Sequence, residues 1–291
     1  MSEAAPQDDG PKFVLTVSCP DRPGLVHMVS AYIVQNSGNI IESQQFGDEN
    51  NGLFFIRLVF VVSTDTTLEA LRAAFTPVGQ TYDMNWQLHD ARTPTRTMLL
   101  VSREAHCLND LLFRYRASGL RIDRPLVVSN HQILESVAQS HGVPFHHLPV
   151  TAETRTEQER AILALAAEHD VELVVLARYM QVLSADFCAA FAGRLINIHH
   201  SFLPAFSGAR PYHQAHHRGV KLIGATAHYV TPELDEGPII EQDVERVDHS
   251  MSAQRLAAVG RDIESRVLAK AVAYQVEHRV FLNGERTVVF R

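Results

Sequence analysis

Met98-Leu-Leu-Val-Ser102 opens a series of short apolar runs that decides the fold. Pro125–Ser129, Pro144–Leu148, Val171–Leu176 and Leu195–Ile198 follow it, with helical spacing in the stretches between. One of those helices carries the capping pattern Thr156-Glu-Gln-Glu159. A short unbroken apolar run suits a strand buried on both faces, and its alternation with helices implies a mostly parallel, Rossmann-like sheet. Downstream, Val220–Val230 and Ile239–Val247 read as two further strands. A long helix with Leu256, Val259, Ile263 and Val267 on one face comes next, and Asn283-Gly284 marks a closing hairpin.

Upstream the rhythm differs. Phe13–Cys19 reads as a strand, and Pro20-Asp-Arg-Pro-Gly24 as a turn into a helix with Asp21 as its N-cap and Gly38 at its stop. Asn39–Phe46 and Leu53–Val62 form a hairpin, Thr66-Thr-Leu-Glu69 caps a second helix, and Tyr82–Leu88 closes the unit. The order β-α-β-β-α-β is the ferredoxin-like, split-βαβ pattern. The expected class is therefore α/β, with a tail over residues 1–11, a front domain over 12–90, a linker over 91–97 and a rear domain over 98–291.

The 291 residues carry 26 basic and 33 acidic side chains, a net charge of −7. An acidic balance argues against a generic binder of nucleic acid or anionic membrane. Three scattered cysteines (Cys19, Cys107, Cys188) offer neither a disulfide framework nor a zinc set. The acidic start lacks the apolar stretch of a secretory signal. Leu53–Val62, the most apolar run, holds Arg57 and is half the length of a membrane helix. A soluble, cytoplasmic protein is expected.

The chemistry concentrates between Ile196 and Asp248. Ile196-Asn-Ile-His-His-Ser-Phe-Leu-Pro204 places Asn197 and His199 on one face at a strand's C-terminal end, where open α/β sheets put their sites. An amide and an imidazole aimed at one point suit oxyanion stabilisation with proton transfer. Read alone, the pair also fits a turn-capping Asn and a core His, the commoner case for an isolated Asn-x-His. Asp235 lies in the loop Thr231-Pro-Glu-Leu-Asp-Glu-Gly-Pro238, either as a partner for His199 or as solvated surface. The doublets His146-His147, His199-His200 and His216-His217 suggest metal binding at first sight, but no HExxH, paired Cys or carboxylate cluster accompanies them.

Ile196–Pro204, Gly224-Ala-Thr-Ala-His-Tyr-Val230 and Leu234-Asp-Glu-Gly-Pro-Ile-Ile240 resemble the folate-dependent formyltransferase superfamily. The chain is most similar to the hydrolytic branch, the formyltetrahydrofolate deformylases. That likeness lies in Ser102-Arg-Glu-Ala-His-Cys-Leu-Asn-Asp-Leu-Leu112, Ser129-Asn-His131, Phe145–Pro149, Leu176-Ala-Arg-Tyr-Met-Gln-Val-Leu183 and Gly208–Ala215. The front domain, with Cys19-Pro-Asp-Arg-Pro-Gly-Leu-Val26, resembles an ACT domain.

The resemblance implies hydrolysis of 10-formyltetrahydrofolate to tetrahydrofolate and formate, which supplies purine synthesis and balances one-carbon pools. The implied catalytic set is Asn197, His199 and Asp235, with His228, Met180, Gln181, Leu183, Tyr229 and Thr231 as substrate contacts. Gln181 stands where some transferases have arginine. No cofactor is implied, the folate being the substrate, and no metal. The ACT likeness implies pairing into a homo-oligomer and amino-acid effectors bound near Asp21, Arg22, Gly24 and Leu25, and the deformylase resemblance suggests methionine and glycine as those effectors. Transferases acting on glycinamide ribonucleotide resemble one another in a Gly-rich loop after the first strand. Here Ser102-Arg-Glu-Ala-His-Cys107 has no glycine, so the acceptor pocket is expected to be closed and water to be the acceptor. Two rivals remain open: transfer of the formyl group to an amine, and a non-catalytic ligand-responsive regulator.

Overall fold

The computed structural model describes residues 10–63, 65–203 and 211–291. The chain divides into two units: Met1–Pro94 with Glu277–Phe281 and Val288–Arg291, and Thr95–Val276 with Leu282–Thr287. The expected boundary gave all of 98–291 to the rear domain, whereas two C-terminal segments belong with the front unit. No helix among the described residues is long and apolar enough to cross a membrane.

The front unit runs β1 (Lys12–Pro20), α1 (Leu25–Gln35), β2 (Asn39–Asp48), β3 (Leu53–Val61), α2 (Leu68–Thr81), β4 (Asn85–Asp90). Its antiparallel sheet has the order β2-β3-β1-β4, the split-βαβ arrangement. One face packs on the helices through Leu15, Val17, Ile33, Ile56, Phe60, Leu71 and Phe75. The expected tail over 1–11 falls mostly outside the described residues. Pro11 is an exception: it is buried, and its carbonyl accepts from the Val62 N–H at 3.2 Å, so it extends the sheet.

Two caps differ from expectation. α1 starts after Gly24, whose φ of 95° only glycine adopts freely, and Asp21 does not cap it. Instead, the Asp21 N–H donates to the Gly52 carbonyl at 2.8 Å. α2 is capped by Thr67, one residue later than the Thr66 box, through its hydroxyl and the Ala70 N–H at 3.2 Å.

The second unit runs β5 (Thr95–Val101), α3 (His106–Arg116), β6 (Ile122–Ser129), α4 (Glu135–Ser140), β7 (Phe145–His147) and α5 (Arg155–Glu168). It continues with β8 (Leu173–Leu176), α6 (Ala185–Ala190), β9 (Leu195–His199), α7 (Pro211–Arg218), β10 (Leu222–Tyr229), β11 (Ile239–Arg246) and α8 (Ala253–Val276). β5 begins at Thr95, inside the expected linker. The capping box at Thr156 does not form: α5 starts at Arg155, and Glu159 instead accepts from the N–H and hydroxyl of Ser184, the N-cap of α6. β12 (Val280–Asn283) and β13 (Arg286–Val289) form the closing hairpin, with Gly284 at φ 63°.

The seven-stranded sheet has the order β11-β10-β9-β8-β5-β6-β7. β5 to β9 are parallel, and β10 runs antiparallel to both its neighbours. Because β5 pairs with β6 on one side and β8 on the other, the chain leaves in one direction and returns in the opposite one. That reversal opens a crevice beyond the strands' C-terminal ends, where ligands of such sheets bind.

Candidate active site

β9 carries Asn197 and His199 to its C-terminal end, and both line one cleft of about 270 Å³. The antiparallel register of β10 sets His228 directly opposite Asn197. The loop after β10 folds back tightly. A Cβ on Gly237 would lie 1.7 Å from the Tyr229 carbonyl oxygen, so only glycine permits the approach. The fold-back brings in Asp235, itself left-handed at φ 59°, with Oδ2 3.2 Å from His199 Nδ1 and Oδ1 3.7 Å from His228 Nε2.

The proton positions follow from the partners. His228 Nδ1 lies 2.8 Å from the Tyr229 carbonyl, which can only accept, so Nδ1 carries the hydrogen. His228 Nε2 is then free to accept from the Asn197 amide at 3.3 Å, which orients that amide. The hydrogen bond from His199 holds the Asp235 carboxyl well below the usual carboxylate range. An ionised Asp235 accepts from His199 Nδ1–H and fixes the ring. His199 is 6% exposed, and its Nε2 has no hydrogen-bond partner.

Met180, Gln181, Leu183 and Thr231 line the same cleft. The 178–183 turn is pinned by Ser102 at the end of β5, whose hydroxyl accepts from the Met180 N–H at 3.0 Å and donates to Asn130 at 2.8 Å. Tyr229 does not line the cleft. Adjacent strand residues face opposite ways, so Tyr229 points away from the side His228 occupies, and its hydroxyl donates to Gln275 of α8. Its side chain packs against α8 rather than lining the cleft. Pro204 and residues 208–210 of the Gly208–Ala215 segment lie outside the described residues.

A buried ionic group unforeseen in the sequence adjoins the cleft. Glu264 of α8, 1% exposed, accepts from Tyr212 at 2.5 Å, pairs with His106 at 2.8 Å and lies 3.4 Å from Arg178 Nε. Burial pushes the Glu264 carboxyl up, but His106, Arg178 and Tyr212 outweigh it and hold it below its ordinary value. His106, Cys107 and Glu264 bring possible ligand atoms within 4.8 Å of one another. The donor chemistry suits a metal poorly, because Arg178 already sets a cation against the carboxylate and burial pushes the Cys107 thiol up. Arg178 lines the cleft beside His200, whose pKa burial, and then Arg178 and His199, lower to about 4.

In the front unit, Leu25 is 2% exposed and belongs to the core, so it is not a surface contact for an effector. Arg22 donates to the Thr81 carbonyl at 3.1 Å and lies 4.5 Å over the Tyr82 ring.

Residues 95–272 match the formyl transferase family and residues 13–76 the ACT domain. A formyltetrahydrofolate deformylase of Corynebacterium sp. (strain P-1) is 48% identical over 96% of this chain and 98% of its own. The crystal structure of the Burkholderia mallei formyltetrahydrofolate deformylase matches with a TM-score of 0.92 and 51% identity, over 97% of this chain and 100% of that one. A glycinamide ribonucleotide transformylase of Symbiobacterium toebii reaches a TM-score of 0.65 and 30% identity, over 68% of this chain and 95% of its own. The fold and cleft are those of a formyl transferase with an ACT domain ahead of it. Within that class, the chain belongs to the formyltetrahydrofolate deformylase family.

Proposed function

We propose that this cleft hydrolyses the N10-formyl group of 10-formyltetrahydrofolate, releasing tetrahydrofolate and formate. The observation that carries the reading is His199 Nε2, buried and unpartnered on a ring fixed by an ionised Asp235. The Asn197 amide and the protonated His199 Nε2 polarise the formyl oxygen. Water, held at Asp235 Oδ1, adds to the formyl carbon and forms the new C–O bond. The two donors hold the resulting oxyanion in a dry, preorganised setting. The C–N10 bond then breaks as N10 takes one proton, relayed through Asp235 and His199. The remaining acidic proton is lost, and the product leaves as formate. No cofactor or metal enters this scheme.

Water is the acceptor because the Ser102–Cys107 segment has no glycine to bring backbone N–H groups close to a phosphate. Its His106 and Cys107 turn inward instead. The ACT match supports reading the front unit as an amino-acid-responsive module that pairs copies of the chain; methionine and glycine are the effectors that the deformylase resemblance suggests. Three free cysteines, all buried, suit the reducing cytoplasm. Incubation with 10-formyltetrahydrofolate in amine-free buffer tests the reaction: formate and tetrahydrofolate should appear in equal amounts. Turnover that needs an added amine would point to a transferase, and folate binding without products to a silent regulator. A rate unchanged by methionine or glycine would leave the front unit purely structural.

A further inference from the structure

The hydrolytic reading produces an anion beside an ionised carboxylate, and one side chain is placed to receive it. Of the residues lining the cleft, Glu233 and Asp235 are acidic and Arg178 is the permanent cation. Nε and Nη1 of Arg178 are buried and have no hydrogen-bond partner. Glu264 Oε2 lies near Nε but forms no hydrogen bond with it, while the same carboxylate takes His106 at 2.8 Å and Tyr212 at 2.5 Å. The carboxylate supplies Arg178 with charge at 3.4 Å but not with a well-formed acceptor. Arg178 also sits at φ 66°, a conformation unfavourable for a long side chain, and such outliers collect at ligand sites. Buried donors without acceptors are rare enough in a folded chain to mark a missing partner.

We propose that Arg178 is the product-anion site of the cleft, donating to a formate oxygen as formate leaves the folate nitrogen. A guanidinium matches a carboxylate in shape as well as charge. It also offsets the repulsion that Asp235 and Glu233 exert on the nascent anion. This assignment rests on the hydrolytic reading, since only that reaction makes formate here.

Formate binding to the substrate-free protein, read by saturation transfer from the formate proton, tests the site without turnover. Formate inhibition of the running enzyme is measured alongside it. Arg178→Gly removes the guanidinium while suiting the left-handed backbone, so the chain should fold, at a lower melting temperature because the buried Glu264 loses a countercharge, and binding is read well below that temperature. It should weaken formate binding and inhibition about ten- to a hundredfold, the worth of a charge-assisted hydrogen bond. Arg178→Lys, keeping a point charge, should lose less. Inhibition by p-aminobenzoylglutamate, which carries the folate's other carboxylates, should not change. Formate binding unaltered in Arg178→Gly, or absent from the unsubstituted protein, would overturn the assignment. A loss confined to p-aminobenzoylglutamate would do so too and give Arg178 to the folate tail. A chain that binds formate through Arg178 yet releases none from 10-formyltetrahydrofolate would sink the hydrolytic reading instead.

Discussion

Two buried arginines divide the molecule by purpose. In the front unit Arg57, 3% exposed, meets Glu42 with Nη1 at 2.9 Å and the Glu277 carbonyl with Nε and Nη2 at 3.2 and 3.0 Å. Every nitrogen has an acceptor, and the side chain ties β3 to the returning C-terminal segment. Arg178 in the second unit has two nitrogens with no acceptor. The contrast extends beyond the pair. Among the described residues, all buried side-chain nitrogens without partners belong to His106, His141, Arg178 and His199, in the second unit. A framework meets its polar groups internally because an unmet buried donor costs about 1–3 kcal/mol. A site leaves some unmet for a ligand.

That contrast can be broken by substitution. The largest effect is expected at His199: His199→Ala should lower turnover by about 10²–10³, the usual loss of an oxyanion donor, with little change in melting temperature. His228 orients the Asn197 amide from behind, so His228→Gln should cost about tenfold in kcat and leave KM nearly unchanged in steady-state assays. Arg57→Met should do the reverse. It should destabilise the front unit by about 1–3 kcal/mol in urea unfolding while turnover per folded molecule stays intact. An Arg57→Met enzyme with lost turnover and full stability would erase the distinction between the two arginines. Smallest is Tyr229→Phe, expected to cost about 1 kcal/mol of stability through the lost Gln275 bond and to leave KM unaltered. A raised KM there would return Tyr229 to the folate site.

Much of this was legible in the sequence. The strands of the second unit show as bare apolar runs because parallel strands are buried on both faces. The Asn197–His199 pair follows from the two-residue period of a strand. Caps were harder to read, because Asp21, Thr66 and Thr156 each offer a plausible oxygen while tertiary contacts choose another residue. Thr156's would-be partner Glu159 is drawn to Ser184, a contact between distant stretches of chain. Resemblance identifies the segment holding Tyr229, whereas alternation decides which of its side chains face the cleft. The return of residues 277–281 and 288–291 to the front unit has no local signal. Arg178 left a faint one, a charge inside the apolar stretch Val174-Val-Leu-Ala-Arg-Tyr179. Its partner Glu264 comes from a distant helix that no spacing rule connects to it.

In the proposed mechanism an ionised Asp235 fixes His199 and manages the protons of a water attack. Because its carboxyl is held well below the usual range, it stays charged throughout any neutral assay, and its titration should not shape the rate profile there. Single-turnover formate release by Asp235→Asn, compared with the unsubstituted chain at matched folate occupancy, tests this most directly. A fall of more than about a hundredfold, with the fold and folate binding retained, is the predicted result. Formate released at most of the original rate would contradict the account.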